Sequence, residues 1–283
     1  MRLETTGSNC QIVHPDDGEH SATIFLFHGL GDTSDGWISS AVEWHKALPH
    51  IKFIVPSAEP MPITMNAGYR MPGWFDIVDL QEGLEKNCGG IEESRQLILS
   101  MMNDENQLGI PYNRMMLAGF SQGGCMSLFT GLQMEDESKK IAGILCMSGC
   151  MPAPDKFKLS AGFEDVPVLH CHGKVDPVVR HEWAVKTKSV LESEMAFQTY
   201  TLKSYDDLPH SINNAVIQDA QEFISAHIPF DASLALKPKD PSEMSVKELK
   251  AAIVRAGLSN KARGFSEKIE FVDLLKTHYA GEA

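Results

Sequence analysis

The sequence predicts a doubly wound α/β fold built on a mostly parallel sheet, and three observations carry that prediction. Short apolar runs alternate with amphipathic stretches of helical period along most of the chain. Most of the runs are uniformly apolar rather than alternating, as in strands covered on both faces. The 283 residues, 43% hydrophobic and 22% charged, suffice for one large α/β domain with a small addition.

In chain order, a strand is expected at TIFLFHG (23–29), then a helix over 38–48 and a strand at KFIVPS (52–57). A helix over 91–107 precedes the strand RMMLAGF (114–120), and a helix over 122–134 precedes IAGILCMSG (141–149). The strand VPVLHCHG (166–173), a helix over 181–193, the strand FQTYTL (197–202) and a helix over 212–227 complete the alternation. In that last helix Ile212, Val216, Ala220, Phe223 and Ile224 form a stripe suited to packing on a sheet. Between Pro56 and Gly90 no regular element is read. Four prolines punctuate a stretch that also holds Met61, Ile63, Met65, Met71, Trp74 and Phe75. A loop this long is uncommon and usually functional. One reading makes it a cap on the core; the sharper one makes it the wall of a lipid-accepting groove, for which Met is well suited.

The net charge of −13 argues against a general nucleic-acid binder. Residues 237–283 carry nine Lys/Arg against seven Asp/Glu, which leaves −15 on residues 1–236. The N-terminal stretch has no apolar run of signal-peptide length, Arg2 excludes myristoylation, and the end GEA carries no prenylation box. The longest apolar runs are strand-sized, so no transmembrane segment and a cytoplasmic location are expected. Six cysteines without a CxxC pair suggest reduced thiols rather than a disulfide or metal framework. His170-Cys171-His172 looks like a ligand cluster, but neighbours along a strand point to opposite faces. No metal and no cofactor are expected.

In such folds ligands bind beyond the carboxyl ends of the strands. Gly119-Phe120-Ser121-Gln122-Gly123 is a G-x-S-x-G that ends one strand and opens a helix. The small glycines permit the sharp turn that lifts the serine oxygen above the sheet, and the N–H groups that follow favour an oxyanion. A serine needs a base, and the base needs a group that fixes its tautomer. In α/β-hydrolases these follow in the order Ser, acid, His. Asp176 lies on the loop after the 166–173 strand, and His210 lies after the 197–202 strand, just before the last helix. Asp206 and Asp207 read as surface turn residues; His28 and His172 stand in the wrong order. The turn His28-Gly29-Leu30-Gly31-Asp32 is able to aim the Leu30 N–H at the site, which with the Gln122 N–H makes a two-donor oxyanion hole.

FLFHGLGDTSDGW, MPGWFDI, GIPYNRMMLAGFSQGG, HGKVDPVV and LPHS together resemble the acyl-protein thioesterase group of the phospholipase/carboxylesterase family, over about residues 20–229. The resemblance implies an α/β-hydrolase fold and assigns Ser121 as nucleophile, Asp176 as acid, His210 as base, and Leu30 and Gln122 as oxyanion donors. It places Met71 and Trp74 on a loop bordering an acyl-chain channel. Asp207-Leu208-Pro209 replaces the usual Gly-Met-containing approach to the histidine, and Lys174-Val175 stands where Asp-Cys is common. The implied activity is hydrolysis of acyl thioesters, most directly depalmitoylation of S-acylated proteins. The alternatives are lysolipid or small-ester hydrolysis, and a catalytically weak scaffold.

The domain reading is a catalytic domain over 1–230, a linker over 231–243 containing Lys237-Pro238-Lys239-Asp240-Pro241, and a helical module over 244–283. Ser245 and Glu248 form a capping box ahead of the stripe Val246, Leu249, Ile253 and the stop Gly257. A second helix opens near Ser266 with Ile269, Val272 and Leu275, flanked by Phe271 and Leu274. This segment resembles a SAP-like helix-turn-helix module. Its balanced charge favours a protein partner or intramolecular docking over nucleic acid.

Overall fold

A computed structural model describes residues 2–6, 9–15, 19–80, 88–236, 240–256 and 258–281. The chain forms two compact units, one over Leu3–Leu236 and one over Lys237–Ala283. The first is an α/β-hydrolase fold around one sheet of eight strands. In chain order it runs β1 (Arg2–Thr6), β2 (Cys10–His14), β3 (Ala22–Phe27), α1 (Ser34–Ala47) and β4 (Ile51–Val55). Then come β5 (Pro60–Ile63), β6 (Tyr69–Pro72), α2 (Ile91–Gln107), β7 (Met115–Phe120), α3 (Gln122–Gly131) and β8 (Gly143–Met147). It ends with β9 (Val168–Gly173), α4 (His181–Met195), β10 (Tyr200–Tyr205) and α5 (Asn214–His227). The sheet order is β1-β2-β4-β3-β7-β8-β9-β10; β2 pairs antiparallel with β4, and the pairs from β4 through β10 are parallel.

The uniform apolarity of the strands has a direct cause. Phe25 and Phe27 pack with Ile98 and Met102 of α2, Leu128 of α3 and Leu191 of α4. Ile24 and Leu26, alternating with them, pack on the other face with Trp37 and Trp44 of α1 and Val216, Ala220 and Ile224 of α5. Each strand therefore buries both faces. α1 begins at Ser34 rather than at 38, because the Thr33 hydroxyl accepts from the Asp35 N–H and caps it. α5 begins at Asn214, capped by Asn213, which leaves Ile212 ahead of the helix.

The stretch from Pro56 to Gly90, read as lacking regular structure, contains a two-stranded hairpin. β5 pairs antiparallel with β6 in register Pro60↔Pro72 to Ile63↔Tyr69, turning through Ala67 and Gly68 at φ 55° and 76°. Prolines 60, 62 and 72 hid it, since Pro demotes a strand except where no neighbour needs its N–H, as in this isolated ribbon. Among the described residues, no helix is long and apolar enough to cross a membrane.

A buried polar cluster ties β3, β4 and α2 together. Lys52 pairs with Glu105, and the Thr23 hydroxyl donates to Glu105 Oε2 at 2.8 Å. His20 Nε2 donates to Thr23 Oγ1 at 2.9 Å. Burial pushes the His20 imidazole down from its ordinary 6.5 to about 4. The unfolded chain therefore takes up a proton near 6.5 that the folded chain accepts only near 4, so stability falls as pH drops through that window. In urea titrations at pH 7 and pH 4.5, the midpoint of wild type should fall further than that of His20→Gln, whose amide still donates to Thr23.

The second unit is a helical pair with its own core. α6 (Val246–Arg255) opens on a complete capping box: the Glu248 N–H donates to Ser245 Oγ, and the Ser245 N–H donates to Glu248 Oε2. Leu249, Ala252 and Ile253 pack against Phe271, Val272 and Leu275 of α7 (Lys268–Gly281). Val246 and Ile269, expected in the buried stripe, are instead exposed (42% and 60%), and Phe271 takes the inward place. Within the stretch expected as a linker, Leu236 packs on the core of the first unit and its N–H donates to the His20 carbonyl. Asp240–Glu243 forms a turn with the second unit, where Asp240 pairs with Lys276. Residues 237–239 and Gly257 lie outside the described residues.

Candidate active site

Ser121 stands between the last residue of β7 and the first of α3, with φ 53° and ψ −119°. A non-glycine residue in this region costs ~1–3 kcal/mol and persists only where its surroundings enforce it. Here they do. The Ser121 N–H donates to the Met147 carbonyl at 2.8 Å, and the Cys125 N–H returns to the Ser121 carbonyl at 3.0 Å. The flanking glycines are dictated by close approach: a Cβ on Gly123 would overlap the carbonyl oxygens of Phe27 and His28, and one on Gly119 would overlap the backbone of Gly123.

His210 Nε2 lies 2.9 Å from Ser121 Oγ, and His210 Nδ1 donates to Asp176 Oδ2 at 2.7 Å. The other carboxylate oxygen accepts from the backbone N–H groups of Val178 (2.9 Å) and Val179 (3.0 Å). Burial pushes the Asp176 carboxyl up, but the His210 hydrogen bond and the two backbone donors outweigh it and hold the group below its ordinary value. Asp176 is thus an ionised, buried acceptor that fixes the His210 ring. Phe120 covers that ring at 4.7 Å between centroids.

The Gly29–Leu30 turn abuts the serine: a Cβ on Gly29 would sit 3.4 Å from Ser121 Cβ. His28 anchors this turn. Its Nδ1 donates to the Gly29 carbonyl at 2.6 Å while Nε2 accepts from the Ala58 N–H at 2.8 Å, and burial lowers its pKa, so it stays neutral. The backbone of Gln122 opens α3, and its side chain locks the neighbouring loop: the Trp74 N–H donates to Oε1 (2.8 Å), and Nε2 donates to the Phe75 carbonyl (2.7 Å).

Beside Ser121 lies a cavity of about 270 Å³ whose lining is largely apolar, with Leu30, Met65, Ile77, Leu80, Phe120 and Val178 among its walls. The loop chosen from the sequence does supply part of this wall, through Met65, Ile77 and Leu80. The two residues singled out do not line the cavity. Trp74 is buried behind it because its indole N–H finds the His28 carbonyl at 2.9 Å. Met71 is half-buried in β6, its sulfur accepting from the Asn66 amide. Leu30, Ile77, Phe120 and Val178 lie in segments that the sequence reading quoted, but nothing in their spacing marked them as cavity walls, and Leu80 lay in no quoted segment; His28, in the turn before Leu30, anchors that turn.

A serine at a strained strand-to-helix elbow, a histidine on it, a buried carboxylate behind and a mostly parallel sheet beneath define a serine hydrolase of the α/β-hydrolase class. The model of the phospholipase/carboxylesterase family matches residues 8–228, and the chain belongs to that family. It is 34% identical over 235 residues to acyl-protein thioesterase 1 of Emericella nidulans, covering 78% of this chain and 97% of that one. Acyl-protein thioesterase 1 of Yarrowia lipolytica is 33% identical over 226 residues, covering 76% and 95%. Among solved structures, acyl-protein thioesterase 2 of Zea mays superposes with a TM-score of 0.67 at 26% identity, covering 77% of this chain and 98% of that one.

Proposed function

We propose that the chain hydrolyses acyl thioesters, with S-acylated proteins as substrates, and that Ser121, His210 and Asp176 are its catalytic triad. The unbroken Ser121–His210–Asp176 hydrogen-bonded series, opening on an apolar cavity, carries this reading. Ser121 Oγ attacks the acyl carbonyl as His210 Nε2 takes its proton. The N–H groups of Leu30 and Gln122 hold the oxyanion. The thiol departs with the proton from His210, and a water activated by the same nitrogen then releases the acid. A leaving thiol of pKa ~8.5 asks little of the acid step, which suits thioesters.

The acidity of residues 1–236 favours neutral or cationic acyl-protein substrates over acidic lipid surfaces. The second unit is read as a SAP-like docking module for a protein partner, and the protein as cytoplasmic. A fluorophosphonate probe should label the folded protein at Ser121 alone; absence of that adduct removes the enzyme reading. Turnover of an S-palmitoylated peptide should exceed that of lysophosphatidylcholine and of p-nitrophenyl esters, and the reverse order assigns a lysophospholipase or carboxylesterase.

A further inference from the structure

His170 and His172, two residues apart on β9, face the same side of the sheet and are both fully buried. His172 Nε2 lies 2.7 Å from the Val179 carbonyl and 3.5 Å from Asp176 Oδ2. Both partners are acceptors only, so this nitrogen carries the proton and His172 Nδ1 is an acceptor. His170 Nε2, 3.1 Å from that Nδ1, must then be the donor, which makes His170 Nδ1 an acceptor in turn. It accepts from the hydroxyl of Tyr200, 2.6 Å away at the start of β10. All four ring nitrogens are committed, and only one set of tautomers satisfies them. Burial lowers the pKa of both imidazoles, in keeping with neutral rings.

We infer that Tyr200, His170 and His172 form a buried positioning relay that sets the Asp176 loop and, through it, the tautomer of His210. The series ends on Val179, whose own N–H is one of the two donors that orient the Asp176 carboxylate. Every donor points along the series toward that loop, so the 176–179 turn is held from both its carbonyl and its N–H sides. None of the three side chains reaches the substrate; they act through Asp176. The inference rests on the triad assigned above.

Three variants test it, with kcat and KM measured on a p-nitrophenyl ester and folding followed by thermal melts. His170→Leu removes both hydrogen bonds and should lower kcat on the order of tenfold at unchanged KM, since a small displacement of catalytic groups costs rate rather than binding. His170→Gln restores an acceptor for Tyr200 and a donor for His172, and should recover kcat to within about threefold of wild type. Tyr200→Phe, which deletes one hydroxyl, should fall between them and decides the matter if His170→Leu does not fold. Equal losses in the Leu and Gln variants, or wild-type kcat in a folded His170→Leu or in Tyr200→Phe, overturn the relay. An inactive wild type, matching Ser121→Ala, overturns the triad and the relay with it.

Discussion

Replacement of Asp176 by Asn is expected to lower kcat by about 10⁴-fold while leaving the fold and KM close to wild type. Oδ1 receives the N–H groups of both Val178 and Val179, so the amide oxygen of an asparagine must take that place. Its NH₂ group is then forced onto His210 Nδ1. The imidazole can meet a donor there only by moving its proton to Nε2, where it points at Ser121 Oγ instead of accepting from it. The nucleophile keeps its position and loses its base. Steady-state kinetics on a p-nitrophenyl ester, with a thermal melt beside them, read the effect; a loss under tenfold would mean that another group orients His210.

A methyl group on Gly173 should cost two or more orders of magnitude in kcat/KM. Gly173 is the last residue of β9, and the Leu208 carbonyl lies directly over its Cα, where an added Cβ would overlap both the oxygen and the carbon. That backbone leads to His210 two residues later, so the loop cannot yield without carrying the base with it. A displacement of about 1 Å in a catalytic group costs ~10²-fold. Leu208 is itself buried in the core, so overpacking should also remove ~1–3 kcal/mol of stability. Gly173→Ala assayed alongside a thermal melt checks both; a folded variant with kcat/KM within threefold of wild type would place the His210 loop elsewhere.

The sheet could be read from the chain because burial on both faces writes itself as unbroken apolar runs, as in Ala22–Phe27 between Trp44 on one side and Met102 on the other. β1 and β2 escaped because RLETT and CQIVH at the sheet edge mix polar and apolar residues over only five positions each. Ser121, Asp176 and His210, picked out by chain order and strand ends, are the three side chains that the fold joins in one hydrogen-bonded series, since sequence carries both properties directly. The His28 anchor, the Gly173–Leu208 approach and the place of Trp74 were not, because each depends on which carbonyl oxygen meets the residue across space. Likewise the spacing of Val246 and Ile269 fits a helical stripe, yet only the crossing of α6 and α7 decides that Phe271 turns inward and they do not.

The left-handed φ of 53° at Ser121 is a conformation that glycine would hold at little cost, and serine holds it only because Gly119, Gly123 and the Met147 carbonyl leave no other path. The residue proposed as nucleophile is therefore one whose replacement by glycine would relieve backbone strain. A breeding scheme that ranked variants of this chain by melting temperature alone would drift toward Gly at 121 and deliver a sturdier, silent protein. Reactivity here is a debt carried by the fold, and only turnover keeps it on the books.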